Sequence, residues 1–406
     1  MSRSRYLRLA AIALLLGVSI PSYSLIPFHK FWGLDLHNLQ AFHTCAARDN
    51  PYLATGQQCA DDGWRDMYYP PALYFSFTWT RLCSLPTAIR IWAAVIVLGT
   101  LACLGAWLPR AGWRRVGWPE AATFCLMLAA QFPVVFAAER GNSDVIVLAQ
   151  WTLAMVLMRA NRPFTSGLAA GAAAATKLYP VFGCLVTGVG LVARGVGDRK
   201  ELPRLLRYFA GGVAAVVLLV LAFLPQTRSY LDDELPRYAR DVTPLFVYSH
   251  SLQHVFAQKE LAYGLFALLA GVWTVAAARF LQRDPTFVFA GGLAIATYWA
   301  STSYDYNLLV TFPLLLLLFA RGAGRDAVGA RSWWAFALLL VGLFAIVGHR
   351  GLFAGSDTLK RAHILLQWGW LLAVGLAAPR LVDDPSPERA GAKHDLPAVG
   401  PGVTTP

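Results

Sequence analysis

Apolar runs close to the length of a membrane crossing follow one another from residue 6 to residue 379, and they constrain this 406-residue chain more than any motif does. A crossing takes about 20 apolar residues at about 1.5 Å of rise each. The runs lie at 6–26, 87–108, 120–137, 143–159, 164–176, 179–193, 208–225, 261–280, 286–301, 306–320, 332–349 and 362–379, which predicts about 12 transmembrane helices. With 57% hydrophobic and 14% charged residues and a mean hydropathy of +0.48, the chain is too apolar for a soluble globule, in which roughly a quarter would be charged. The fold class is all-α: one polytopic transmembrane domain over 1–380, with a first external loop at 27–71 and a second at 226–260.

Three stretches need a separate reading. The short runs 164–176 and 179–193 meet at Lys177-Leu178-Tyr179-Pro180, where proline restricts the residue before it, so they are expected to form a tight pair turning at one membrane face. Residues 70–85, from Pro70-Pro71-Ala72 to Leu85, are apolar but about half a span long, which favours a re-entrant or interface-lying hairpin. Arg3, Arg5 and Arg8 precede the first run without a small-x-small site after it, the pattern of a signal anchor. The polar, Pro- and Gly-rich stretch 381–406 is expected to be a disordered cytoplasmic tail.

Charge then sorts the loops by side. With twelve crossings, 21 of the 35 Lys and Arg residues, among them Arg3, Arg5, Arg8, Arg110, Arg114, Arg115, Arg159, Arg162, Arg199, Arg204, Arg279, Arg283, Arg321 and Arg331, share one face with 9 of the 23 acids, so the whole net charge of +12 falls there. By the positive-inside rule that face is the cytoplasm, and both termini lie on it. The basic pI of about 9.6 is therefore topology, and no aromatic-interleaved basic patch points to nucleic acid.

Six cysteines are too few for a disulfide scaffold, and none has zinc spacing. Cys83, Cys103, Cys125 and Cys184 fall in or beside helices as packing residues. Cys45 and Cys59 share the first external loop, where an oxidising compartment allows a disulfide; two free thiols are the alternative. No Walker loop, GxSxG elbow, HExxH or dinucleotide glycine pattern occurs, which leaves nucleotide hydrolysis, serine-triad acyl transfer and zinc proteolysis without support.

The polar residues near membrane depth do not scatter. Asp35 and His37 follow the first run; Glu139, Arg140, Asn142 and Asp144 fill a short turn; Lys177 and Tyr179 sit in the broken pair; Asp305 lies between Tyr304 and Tyr306. All of them fall on the external face, where loop 226–260 adds Asp232, Asp233, Glu234, His250 and His254. Short turns must end in something polar, which accounts for any one of these residues. Convergence of several on one face points instead to function. A carboxylate beside a histidine suits a general base acting on a hydroxyl, and lysine, arginine and histidine suit an anionic leaving group such as phosphate.

In order along the chain stand Asp35, then Asn50-Pro51-Tyr52, then Tyr68-Tyr69-Pro70-Pro71, then Gly141-Asn142, then Lys177-Leu178-Tyr179-Pro180. This series resembles the GT-C membrane glycosyltransferases, and within them family 87, the polyprenol-phosphate-mannose-dependent mannosyltransferases of the bacterial envelope. The resemblance spans residues 6–320 and rests on motifs that are individually common turns. It implies a GT-C type helical bundle in the bacterial inner membrane, with its active site on the periplasmic face. It also implies a polyprenyl-phosphate sugar as donor, a glycolipid or polysaccharide as acceptor, no cofactor and no required metal. Asp35 takes the general-base role under it, and the donor phosphate meets Lys177, Arg140, His250 or His254.

The chain departs from the family pattern in carrying Asn142 where Gln is usual, preceded by Glu139 and Arg140. His37 either tunes Asp35 or is an interface histidine, and Asp305 either joins the site or caps a turn. A cluster such as Asp232-Asp233-Glu234 reads either as a solvated acid run or as a metal site that would upset metal independence. A transporter or flippase is the alternative function, because broken helices with a lysine nearby also bind transported substrates. Against it, no internal repeat relates the two halves, and the polar layer is external where a transport site lies near the midplane.

Overall fold

Proline sets where many of these helices begin. Pro86, Pro119, Pro133, Pro163, Pro203, Pro285 and Pro313 each sit in a first helical turn, where the missing N–H has no intrahelical partner to lose. The computed structural model describes residues 3–23, 33, 35–37, 39–40, 69–108, 113–114, 116–197, 199–236, 251–256, 258–281, 283–298, 305–324, 330–347 and 356–382. Among these residues all regular structure is helical, with no strand.

The principal helices are α1 (Arg3–Tyr23), α2 (Leu85–Trp107), α3 (Trp118–Ala129), α4 (Phe132–Arg140), α5 (Asp144–Arg159), α6 (Pro163–Thr176) and α7 (Pro180–Gly197). They continue with α8 (Leu202–Ala222), α9 (Lys259–Phe280), α10 (Pro285–Ala296), α11 (Phe312–Gly322), α12 (Ala330–Gly342) and α13 (Asp357–Leu376). Every apolar run of the sequence coincides with one of these helices or with the bent pair α3 and α4.

The expected number of crossings is only partly reproduced. Among the described residues four helices are long and apolar enough to span a bilayer, namely Leu85–Trp107, Leu202–Ala222, Lys259–Phe280 and Ala330–Val347; the pair α3 and α4, bent by 47°, makes a fifth when counted as one span. Two of the runs are interrupted by their own breakers. Pro133 splits α3 from α4, and a 3₁₀ segment, Asp305–Thr311, stands in place of the first turns of α11.

Burial separates centre from rim. Every residue from Thr286 to Ala296 in α10 is buried, whereas α8 exposes Leu206, Val213, Leu218 and Leu221. An all-round buried apolar helix belongs at the centre of a bundle, and an exposed apolar face on a span belongs against lipid. The expected pairing of residues 164–176 with 179–193 holds at their shared turn, but α6 packs most closely on α8. A Cβ added at Gly167 would stand 2.0 Å from the Tyr208 carbonyl oxygen, and one at Gly211 would stand 2.0 Å from that of Phe164.

Two loop expectations are refined. Residues 70–85 contain a short helix, Pro71–Phe75, and a 3₁₀ turn, Thr78–Leu82, neither long enough to cross. The segment 226–260 begins helical, since Leu224–Ser229 runs on into a π turn at Tyr230–Glu234; Asp232 meets Arg228 there at 3.5 Å on an exposed face. Residues 383–406 lie outside the described residues, as do Cys45, Cys59, Asn50, Pro51, Tyr52 and His250. Cys103 and Cys125 are buried and free, in keeping with packing roles.

Candidate active site

Two glycines with positive φ bring the Asp35 segment onto the end of α4. Gly33 (φ 70°) donates its N–H to the Glu139 carbonyl at 2.7 Å, and a Cβ there would lie 2.2 Å from Ile89 Cδ1. Gly141 (φ 72°) ends α4 in the left-handed conformation, and a Cβ there would lie 2.6 Å from Leu36 Cβ. Leu36 can therefore seat directly on the turn, which delivers its neighbour Asp35 to Arg140 and Asn142. Gly141→Ala is expected to add about 1 kcal/mol of left-handed strain and to push residues 35–37 away, so that activity falls further than thermal stability does. Parallel measurement of turnover and melting in detergent checks this.

Asp35 is 1% exposed and fully engaged on one side. Its Oδ1 accepts from Arg140 Nη2 at 2.7 Å and from Nε at 3.2 Å, and its Oδ2 accepts from Asn142 Nδ2 at 2.9 Å. An ionised carboxylate offers about four acceptor positions. Three are taken among the described residues, and the fourth lies on Oδ2.

A second carboxylate completes the cluster. Asp144, 0% exposed at the start of α5, accepts on Oδ1 from Lys177 Nζ at 2.8 Å and from the Tyr179 hydroxyl at 3.0 Å, and on Oδ2 from Asn307 Nδ2 at 2.6 Å. Asn142 joins the two halves: while its amide nitrogen holds Asp35, its side-chain oxygen accepts from the Asp144 N–H at 2.8 Å and from Lys177 Nζ at 3.5 Å. Its backbone carbonyl accepts from Trp92 Nε1 at 2.9 Å, which fixes the turn against α2. Tyr69 lies over Lys177, with Nζ 5.1 Å from the ring centroid.

Ends of α4, α5, α6, α7 and the Asp305–Thr311 segment thus converge at one end of the bundle. Of the expected site residues, Asp35, Arg140, Asn142, Lys177 and Tyr179 share one hydrogen-bonded network, with Tyr69 beside it; Pro70 and Pro71 open the short helix Pro71–Phe75. His37 is half-buried on the same helical turn as Asp35. His254 stands apart from the network, in a 3₁₀ turn (Leu252–His254) packed against α9 and α13. Burial first, then the charges of Lys360 and Arg361, hold its imidazole below the ordinary histidine value. The side chain of Asp305 lies outside the described residues, and its neighbour Asn307 makes the contact with Asp144.

Sequence reasoning placed Asp144 in the turn without a role and missed Asn307 and Trp92. Asn307 was within reach, since it follows the Tyr304-Asp305-Tyr306 turn already singled out; a tryptophan inside an apolar run gives no such signal. No group of three or more His, Cys, Asp or Glu side chains able to hold a metal occurs among the described residues.

A family model described as glycosyltransferase family 87 matches residues 68–303, more than half of the chain. The chain belongs to glycosyltransferase family 87. No curated protein matches it. The family 87 region contains Tyr69, Arg140, Asn142, Asp144, Lys177, Tyr179 and His254, whereas Asp35 precedes it and Asn307 follows it. Asp35 is consequently tied to the family 87 region by contact: its partners Arg140 and Asn142 both lie inside.

Proposed function

We propose that this family 87 glycosyltransferase transfers a sugar, mannose by resemblance, from a polyprenyl phosphate to an acceptor hydroxyl with inversion. The observation that carries the reading is Asp35, a buried carboxylate that accepts three hydrogen bonds from Arg140 and Asn142, with one acceptor position left on Oδ2. In that position an acceptor hydroxyl gives its proton to Oδ2 as its oxygen bonds the anomeric carbon. The bond from that carbon to the phosphate oxygen breaks in the same displacement, and its electron pair leaves on polyprenyl phosphate.

Arg140 is the positioning group for this base. Its two bonds to Oδ1 fix the carboxylate plane, and Asn142 fixes the rotation about it. The departing phosphate needs cations more than it needs an acid. Lys177, joined to Asp35 through Asn142, is the candidate for that task. The acceptor would be a glycolipid or polysaccharide, the site periplasmic, and the reaction independent of added metal.

Reconstitution of the full chain in vesicles tests the reading. Supplied with polyprenyl-phosphate mannose and an envelope glycolipid fraction, it is expected to release polyprenyl phosphate in step with mannosylated product, and chelation with EDTA should leave the rate unchanged. Transfer from a nucleotide sugar alone, or movement of the lipid donor across the vesicle without a covalent product, would overturn it.

A further inference from the structure

Between α9 and α13 an open groove of about 600 Å³ runs along the outside of the bundle. Its walls are apolar, formed by Leu268 and Val275 of α9 with Leu376 at the end of α13 and Pro379 just past it, and only Arg279 brings charge to it. Gly271 keeps it open: a Cβ there would meet nothing within 4 Å.

The direction of the helices places this groove. Helix α7 starts beside Lys177, and its Phe182 ring packs on Phe266 of α9 at 5.2 Å, while a Cβ at Gly190 would meet Ala277. Both contacts advance together, so α7 and α9 run parallel. Helix α13 follows the same direction, since Trp368 Nε1 donates to the Leu265 carbonyl at 3.2 Å and Trp273 Nε1 to that of Leu371 at 3.2 Å. Lys259 therefore lies at the Asp35 end and Arg279 at the far end of a 22-residue span. That length is about 33 Å, the full hydrocarbon thickness.

Arg279 is exposed and, among the described residues, has no carboxylate within ion-pair distance. The nearest acid in sequence, Asp284, is bonded to Arg321. A bare guanidinium at the hydrocarbon boundary attracts an anionic headgroup, and an apolar channel leading away from it accepts a hydrocarbon chain. The polyprenyl donor is the weaker fit, because its phosphate is needed at the opposite end.

We propose that this groove holds one acyl chain of an anionic phospholipid drawn from the leaflet opposite the Asp35 cluster, with the lipid phosphate on Arg279. Native mass spectrometry of the full chain, delipidated and then offered phosphatidylglycerol or phosphatidylcholine, tests it. Wild type should retain phosphatidylglycerol preferentially, and Arg279→Gln should cut that retention about fivefold without changing phosphatidylcholine. Gly271→Leu should reduce retention of both lipids by filling the groove. Gly17→Leu, at an equally open position on α1, should change neither. Equal retention of the two lipids by wild type, unchanged retention in Arg279→Gln, or preferential displacement of phosphatidylglycerol by polyprenyl phosphate would overturn the proposal. Arg279→Gln keeps the test decisive even where Gly271→Leu fails to fold.

Discussion

Asp35→Asn is expected to lower sugar transfer by about 10²–10⁴-fold, the usual contribution of a positioned general base, while donor binding changes little. The substitution removes the ionised acceptor that takes the hydroxyl proton. It also leaves the Arg140 guanidinium, buried and donating two bonds to Oδ1, without its counter-charge. Breaking a buried pair from one side costs about 3–5 kcal/mol, so loss of activity alone would not separate chemistry from folding. Asp35→Asn combined with Arg140→Met removes both charges and should restore melting temperature toward wild type while transfer stays lost. Transfer that returns with stability would remove the general-base role and leave Asp35 as a structural partner of Arg140.

The bundle was legible in the sequence because membrane helices announce themselves by length and apolarity. Each apolar run became helix, and Lys177-Leu178-Tyr179-Pro180 broke where proline required. The number of crossings was less legible, because a helix enclosed by other helices, such as α10, is apolar for reasons of packing and has no need of full span length. For the site, sorting charge by side brought Asp35, Arg140, Asn142, Lys177 and Tyr179 to one face, and there they bond one another. What spacing could not give was the pairing. Arg140 and Lys177 read as free cations for a phosphate, yet each is bonded to a carboxylate, and Asn142 links the two pairs through both ends of its amide. That amide orientation depends on Gly141, whose left-handed backbone is visible only in three dimensions.

Asp144→Ala is expected to have the largest effect on stability. Its carboxylate is the common acceptor for Lys177, Tyr179 and Asn307, all drawn from different parts of the chain. Without it an ammonium that is 6% exposed loses its counter-ion, and a hydroxyl and an amide lose their acceptor. The expected cost is about 3–5 kcal/mol, read as a large fall in melting temperature and in yield of monodisperse protein. Adding Lys177→Met should recover most of that loss, because an apolar side chain of similar length replaces the stranded charge. The double variant then asks a functional question as well. Asn142 would still accept from the residue 144 N–H and still donate to Asp35, so the base remains oriented. If Lys177 serves only to balance Asp144, stability and transfer should recover together. Recovery of stability with transfer still absent would keep Lys177 on the substrate, as the cation that meets the donor phosphate.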